Sequence, residues 1–272
     1  MITLIKIILI IAVVLAALYV LGTQGRTGHP GLECLRGWKY AHRGLHDENL
    51  PENSMGAFRA ALEQGYGIEL DIHLMKDGNL AVIHDTSLLR TAGADVNITD
   101  LTAEDLEHYR LGGTDEKIPL FPQVLELFAG KAPLIIELKD NGNARELVDA
   151  AVKAMEGYEG PYCMESFDPR CIYELKTRHP HIIRGQLNMD YFKEKDSPLP
   201  KAVKWLVTNQ AMNFLTKPDF IAYRFADRKT FSNFLTMKYW RLQGVTWTLK
   251  TQEELDRAEA EGWLPIFEGF RP

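Results

Sequence analysis

The 272-residue sequence has little cysteine: Cys34, Cys163 and Cys171 are an odd three in a large chain, so no disulfide framework can be inferred. It has no excess of basic charge. The 31 Lys and Arg against 37 Asp and Glu leave a formal charge of −6, without the positive footprint that a nucleic-acid partner requires. Repeats of fixed period are absent, which sets aside solenoids and propellers. With 46% hydrophobic residues there is no compositional case for disorder. Long apolar runs are absent too, apart from one at the start.

From Ile2 to Leu21 the only strongly polar side chain is Lys6, and Ile7 to Leu21 carries no charge. A membrane span needs ~20 mostly apolar residues, so the run has the length of one. It can be read as an uncleaved signal anchor, a cleaved signal peptide or a buried core helix. A core helix would show an amphipathic stripe, and this run is apolar all round. Cleavage would want a short apolar region before an A-x-A-like site, whereas here the run is long and ends Val20-Leu21-Gly22. The reading adopted is a single-pass anchor over residues 1–21, with the membrane as a partner. Lys6 on one side and Arg26 and Arg36 on the other do not settle which face carries the body, the extracytoplasmic one being preferred. Residues 22–37 hold Gly22, Gly25, Gly28, Gly31, Gly37 and Pro30 and read as a linker able to extend at most ~50 to 60 Å. Residues 38–272 form the body, and nothing in them fixes an oligomeric state.

Strand and helix patterns alternate through this body. Strands are expected over Lys39 to Gly44, Gly67 to Met75, Asn79 to Asp85, Ala132 to Lys139, Tyr162 to Phe167, Ile182 to Leu187, Phe220 to Phe225, Gly244 to Leu249 and the final Leu264 to Gly269. Helices are expected between them, with Asn53 capping one and Thr102 a short one. The pattern and the length match a TIM (β/α)₈ barrel, typically ~250 residues. Nine candidates for eight places are reconciled by Asp77-Gly78: a two-residue turn makes Asn79 to Asp85 a hairpin arm folded back antiparallel, with Lys76 paired to Asn79 and Asp71 opposite His84. The run from Met189 to Pro200, with Lys193, Glu194, Lys195 and Asp196, reads as a solvated loop that follows a barrel strand and covers the mouth.

Side chains alternate faces on a strand, so Glu69, Asp71 and His73 point one way while Ile68, Leu70, Ile72 and Leu74 point the other. In Leu134 to Lys139 the same alternation puts Glu137 and Lys139 together. A lone acidic strand face is usually only a wet one, but in a parallel barrel both faces are covered. Glu69, Asp71 and Glu137 converging there would repel unless a cation lies between them, and an all-oxygen set suits Mg²⁺ or Ca²⁺, not zinc. His42 and His84 each end a strand segment at the mouth and can divide general base and general acid work. His46, His108, His179 and His181 read as structural or exposed. Arg43 and Lys139 add two positive charges, which with one divalent ion outweigh the three carboxylates by one. Such a site suits a mono-anion, and a phosphodiester is the one whose cleavage needs an acid, a base and a metal.

In order along the chain, His42-Arg43-Gly44, Pro51-Glu52-Asn53-Ser54, Gly67-Ile68-Glu69-Leu70-Asp71-Ile72, Lys76-Asp77-Gly78 with Val82-Ile83-His84-Asp85, and Ile136-Glu137-Leu138-Lys139 resemble the glycerophosphodiester phosphodiesterase family. Ser166-Phe167-Asp168 and Thr246-Trp247-Thr248 are similar to later signatures of that family. The resemblance implies a TIM barrel, a divalent metal, and hydrolysis of glycerophosphodiesters to sn-glycerol 3-phosphate and an alcohol. It implies that Glu69, Asp71 and Glu137 bind the metal, that His42 and His84 are the acid/base pair, that Arg43 and Lys139 hold the phosphate, and that Trp247 faces the glycerol. It further implies attack by the neighbouring glycerol hydroxyl, and then opening of a cyclic phosphate by water. Two positions depart from the pattern: Ser54 where threonine is commoner, and Phe267-Glu268-Gly269 where a Thr-Asp pair is usual, which alters the pocket floor and hence the substrate. Alternatives are a lysophospholipase D or polyglycerol-phosphate hydrolase acting on membrane-derived substrates, or a non-catalytic barrel that binds a phosphorylated ligand.

Overall fold

The computed structural model describes residues 1–195 and 197–272. Eight parallel strands close into a barrel: β1 (Tyr40–His42), β2 (Gly67–Leu74), β4 (Leu134–Leu138), β5 (Tyr162–Ser166), β6 (Arg184–Asn188), β7 (Phe220–Arg224), β8 (Gln243–Leu249) and β9 (Trp263–Phe267). Closure comes from β1, which pairs with both β2 and β9. The ninth strand, β3 (Leu80–Val82), lies antiparallel on β2, as a hairpin arm should. The helices are α1 (Ile2–Gly22), α2 (Met55–Glu63), α3 (Leu89–Ala92), α4 (Phe121–Phe128), α5 (Ala144–Ala154), α6 (Pro169–Arg178), α7 (Lys201–Thr208), α8 (Asn213–Thr216), α9 (Phe231–Phe234) and α10 (Gln252–Ala260).

Strand alternation divides the core. Outward-facing Ile68, Leu70, Ile72, Leu134, Ile136 and Met164 pack beneath α2, α4, α5 and α6. Inward-facing Tyr40, Ile135, Cys163, Phe220, Val245 and Ile266 fill the lower barrel, so Cys163 is a small buried hydrophobe and not a ligand. The rings of Tyr40 and Phe220 fit because a glycine stands beside each: a Cβ on Gly67 would come within 2.8 Å of the Tyr40 ring, and one on Gly185 within 2.1 Å of the Phe220 ring. A third cluster, including Met75, Ala81, Ile83 and Ile98, anchors the segment after the hairpin. Of the solvated run from Met189 to Pro200, Tyr191 is buried and Leu199 faces a cavity, while Asp196 lies outside the described residues.

Four local expectations are corrected. The hairpin turn has three residues, Lys76 to Gly78, closed by the Met75 amide on the Asn79 carbonyl, with Gly78 at φ +84°. The register therefore shifts by one: Ile72 pairs with Val82, and Asp71 meets Ile83 instead of His84. Asn53 is not a cap. Ser54 caps α2 by accepting from the Ala57 amide, because Asn53 sits at φ +54° with its side chain turned inward. The segment at Thr102 forms a 3₁₀ turn, Asp105–His108, closed by Asp105 accepting from the amide and hydroxyl of Thr102.

The fourth correction concerns residues 22–37, which do not hang free. Pro30–Leu35 form a 3₁₀ helix whose Leu32 and Leu35 close the bottom of the barrel core. Arg26 pairs with the buried Asp219 carboxylate and donates to the carbonyls of Pro180 and Ile182. Glycine-rich composition here serves close packing: a Cβ on Gly25 would approach the Pro218 carbonyl to 2.4 Å. Replacing Arg26 with alanine would strand the Asp219 charge, and should cost about 3 kcal/mol of unfolding free energy by denaturant titration. A change under about 0.5 kcal/mol, the scale of an ordinary surface substitution, would return this segment to a mere spacer.

Candidate active site and metal centre

The site stands at the C-terminal ends of β1, β2 and β4, where a barrel's loops can surround a ligand. Register places the acidic residues side by side: His42 pairs with Glu69 and Asp71 with Glu137. The three carboxylates are buried, and each offers an oxygen within 4.8 Å of the others. Lys139 answers them, its Nζ 2.7 Å from Glu137 and 3.0 Å from Asp71. Arg43 follows β1 at φ +55°, with its amide donating to Glu69 at 3.2 Å and its Nε 3.4 Å from Asp71.

These neighbours split the three acids electrostatically. Burial raises Glu69 well above the usual carboxylate range, and Asp71 and Glu137 push it further. Burial also pushes Glu137 up to about 7, with Lys139 opposing and Asp71 adding. Asp71 goes the other way: burial alone would raise it, but Lys139, His84, Arg43 and the Asn53 amide hold it far below the usual range. Lys139 is raised in turn because Asp71 and Glu137 outweigh its burial. Two carboxyls pushed up beside one held ionised form an all-oxygen donor set that Lys139 and Arg43 leave one positive charge short, which fits a hard divalent cation such as Mg²⁺ or Ca²⁺.

The two histidines flank the acids, and each is tied to a carboxylate. His42 Nδ1 lies 2.7 Å from Glu268, with Nε2 3.9 Å from Glu69. His84 Nδ1 lies 2.6 Å from Asp85. Such a bond fixes the tautomer and leaves each Nε2 free. Burial lowers His42, partly offset by Glu268, and lowers His84 to about 4, with Asp71 opposing and Lys139 and Arg43 adding to the fall. Burial thus favours the neutral ring of each, the form a general base needs, and the ring that acts as acid must first take up a proton. Glu52 bridges Arg43 and Arg90 at 2.9 and 2.7 Å, and Arg90 also holds Asp85, so one chain of ion pairs runs from Arg43 to His84.

Sequence reasoning had not assigned Glu268, Asp85, Glu52, Asn53 or His73 to this frame. His73 Nε2 donates to the His84 carbonyl and its Nδ1 accepts from Asn141 at 2.9 Å, while Asn53 donates to Asp71 at 2.9 Å. Position alone marks four of them: Asp85 follows His84, Glu52 and Asn53 share a motif, and His73 shares the inward face of β2. Glu268, where the chain departs from the family pattern, pairs with His42 at 2.7 Å and with Lys250 at 2.8 Å. Trp247 lies edge-on to Phe167 with ring centroids 5.6 Å apart, its indole N–H buried without a partner among the described residues. A cavity of about 720 Å³ opens beside Glu137, Lys139 and His84, with an apolar wall that includes Phe167, Tyr191, Leu199, Val203, Val207 and Met212.

Comparison with known proteins agrees with this geometry. Residues 42–267 match the glycerophosphoryl diester phosphodiesterase family. The chain is 35% identical over 158 residues to a glycerophosphodiester phosphodiesterase of Caldanaerobacter subterraneus subsp. tengcongensis, covering 54% of this chain and 65% of that protein. It is 36% identical over 170 residues to one of Bacillus altitudinis, covering 58% of this chain and 69% of that protein. Among solved structures, a phosphodiesterase of Oleispira antarctica in complex with the product sn-glycerol-3-phosphate superposes with a TM-score of 0.72 at 20% identity, covering 89% of this chain and 95% of that one, a likeness of fold.

Proposed function

The chain belongs to the glycerophosphoryl diester phosphodiesterase family, and from that membership we propose that it hydrolyses glycerophosphodiesters to sn-glycerol 3-phosphate and an alcohol. The observation that carries the reading is the buried Glu69, Asp71 and Glu137 cluster flanked by two carboxylate-oriented histidines and by Arg43 and Lys139. Glu69, Asp71 and Glu137 would hold one divalent cation, Mg²⁺ or Ca²⁺, which when bound supplies charge against the developing negative charge on phosphorus-bound oxygen. Arg43 and Lys139 orient the phosphodiester anion. One of His42 and His84, neutral, removes the proton of the attacking glycerol hydroxyl at Nε2; the other, entering the cycle as an imidazolium, gives its Nε2 proton to the departing alcohol, and the two exchange roles when water opens the cyclic phosphate. Trp247 offers the glycerol an apolar ring and an N–H that has no partner among the described residues.

A second reading of the substrate draws on the apolar wall of the 720 Å³ cavity, which favours a diester whose glycerol carries an acyl chain, the headgroup alcohol still being the group that leaves. It would be a lysophospholipid, as the name of a rat lysophospholipase D describes for a protein 39% identical over 116 residues, covering 38% of this chain and 36% of that one. The helix α1 would bring such substrates near by spanning a bilayer: it is 21 residues long, apolar and unburied over its span window. Residues just after the apolar run are built into the barrel, which supports retention of the segment over its cleavage. The extracytoplasmic placement of the body is tested by protease protection in closed vesicles.

The assay is release of choline from glycerophosphocholine and from lysophosphatidylcholine, with and without chelator. Turnover of either, lost on chelation and restored by Mg²⁺ or Ca²⁺, is the expected result. Metal binding without turnover of any diester would leave a binding barrel instead.

A further inference from the structure

We propose that the face of the barrel around the exit of α1 is a seat for the lipid surface, with Trp205, Phe214, Phe231, Phe234 and Tyr239 embedded at the bilayer interface; this rests on the reading of α1 as a membrane span.

Depth is set by the helix. Twenty-one residues at ~1.5 Å each give ~31 Å, the thickness of a hydrocarbon core, so the last turn of α1 stands at the interface. Whatever touches that turn stands there as well. Tyr19 lies 5.7 Å from the Trp205 ring and 6.4 Å from Phe231, and Phe231 stacks on Phe234 at 6.2 Å. Phe214 and Trp205 share an apolar groove with Leu15 and Leu18. Tyr239 packs on Trp240, whose indole donates to the Val20 carbonyl and the Thr23 hydroxyl. The joint cannot swing, because Thr23 is fully buried and a Cβ on Gly22 would meet the Ala211 carbonyl at 2.8 Å.

The five aromatics are between 47% and 63% exposed, an arrangement of large apolar rings that water disfavours and an interface accepts. Charge agrees. The chain as a whole is at −6, yet residues 201–241 carry eight Lys and Arg against only Asp219 and Asp227, both buried. Exposed Lys201, Lys229, Lys238 and Arg241 thus present a positive rim suited to anionic headgroups. The seat also places the site: Val203 and Val207 of α7 line the catalytic cavity while Trp205 of the same helix faces α1, so one helix separates that cavity from the bilayer face.

The test uses the full chain in single-copy nanodiscs of phosphatidylcholine and phosphatidylglycerol, the acyl chains brominated near the glycerol. Tryptophan emission should be quenched, with W205F lowering the quenched fraction by about half. F234W, a probe on the other flank, should gain quenching, and replacing the four rim cations with glutamine should remove any gain that phosphatidylglycerol confers. Equal quenching in the wild type and W205F, with no gain in F234W, overturns the seat while α1 still resists alkaline extraction. Release of the chain by alkali overturns the span itself. Shielding of Trp205 only in discs that hold two copies would give the face to a second chain and overturn the lipid assignment.

Discussion

Alanine at His42 or at His84 should each lower kcat toward glycerophosphocholine by about 10²- to 10⁴-fold, the range a positioned acid or base contributes. The KM should move far less, since neither imidazole carries the charge that holds the phosphate. The reason lies in how the rings are held. Glu268 at 2.7 Å and Asp85 at 2.6 Å each engage Nδ1, so both rings are fixed in tautomer and present Nε2. Because the pair acts on one proton circuit, the double variant should be little worse than either single one. Glu268→Gln is the finer probe. An amide oxygen can keep the bond to Nδ1, so the loss should be near 10-fold, at the weak end of outer-residue effects. It also removes a carboxylate that raises His42, so the limb of the pH–rate profile governed by His42 should move to lower pH. An unmoved profile, together with an H42A rate within about 10-fold of wild type, would sink the assignment of His42 as acid or base.

The eight barrel strands and the hairpin arm were legible as short apolar runs recurring between helix patterns, and period-two alternation gave the two faces of β2 and β4. Glu69, Asp71, Glu137 and Lys139 were legible for the same reason: a charged residue on a strand whose other face is Ile and Leu can only point into the barrel. What the chain hides is turn geometry. Two-residue and three-residue turns around Asp77-Gly78 differ by one register step, and that step moved Asp71 from His84 to Ile83. His84 still reaches the site because it lies beyond the end of β3, where strand alternation no longer governs direction. Partners far apart in sequence were equally hidden. Glu268 meets His42 across 226 positions, and Arg26 meets Asp219 across 193, in a glycine-rich segment whose composition speaks for freedom. Local composition reports the conformations open to a chain, whereas the tertiary contact decides which one is kept.

Glu69→Gln and Glu137→Gln should move activity and stability in opposite directions. Each swap keeps shape and removes one charge, so metal affinity and diester turnover should fall together, the latter by about 10³-fold if several kcal/mol of charge stabilisation is lost. The metal-free fold should gain. Burial, with Asp71 and Glu137 adding, pushes Glu69 well up, and burial, with Lys139 opposing and Asp71 adding, pushes Glu137 to about 7, so in the folded state these ionised forms are disfavoured. The linkage follows in sign: a carboxyl whose folded pKa lies above its unfolded value makes stability fall as pH rises through that interval. For Glu137 the loss runs from the ordinary glutamate range up to about pH 7, and the glutamine variant should flatten it. Asp71, held low by Lys139 and Arg43, acts in the reverse sense, contributing stability above its unfolded pKa that disappears in acid. Added Mg²⁺ or Ca²⁺ should therefore raise the wild-type melting temperature more at about pH 8 than at about pH 5, where protons compete for the same oxygens. Calorimetry across that range reads all of this at once. Identical melting of wild type and E69Q with and without either ion would remove the carboxylates from metal binding. Destabilisation by both glutamines without metal would instead mark the carboxylates as structural. The opposed signs are what a binding site built from mutually repelling charges requires, since the repulsion that weakens the metal-free fold is the attraction a cation finds.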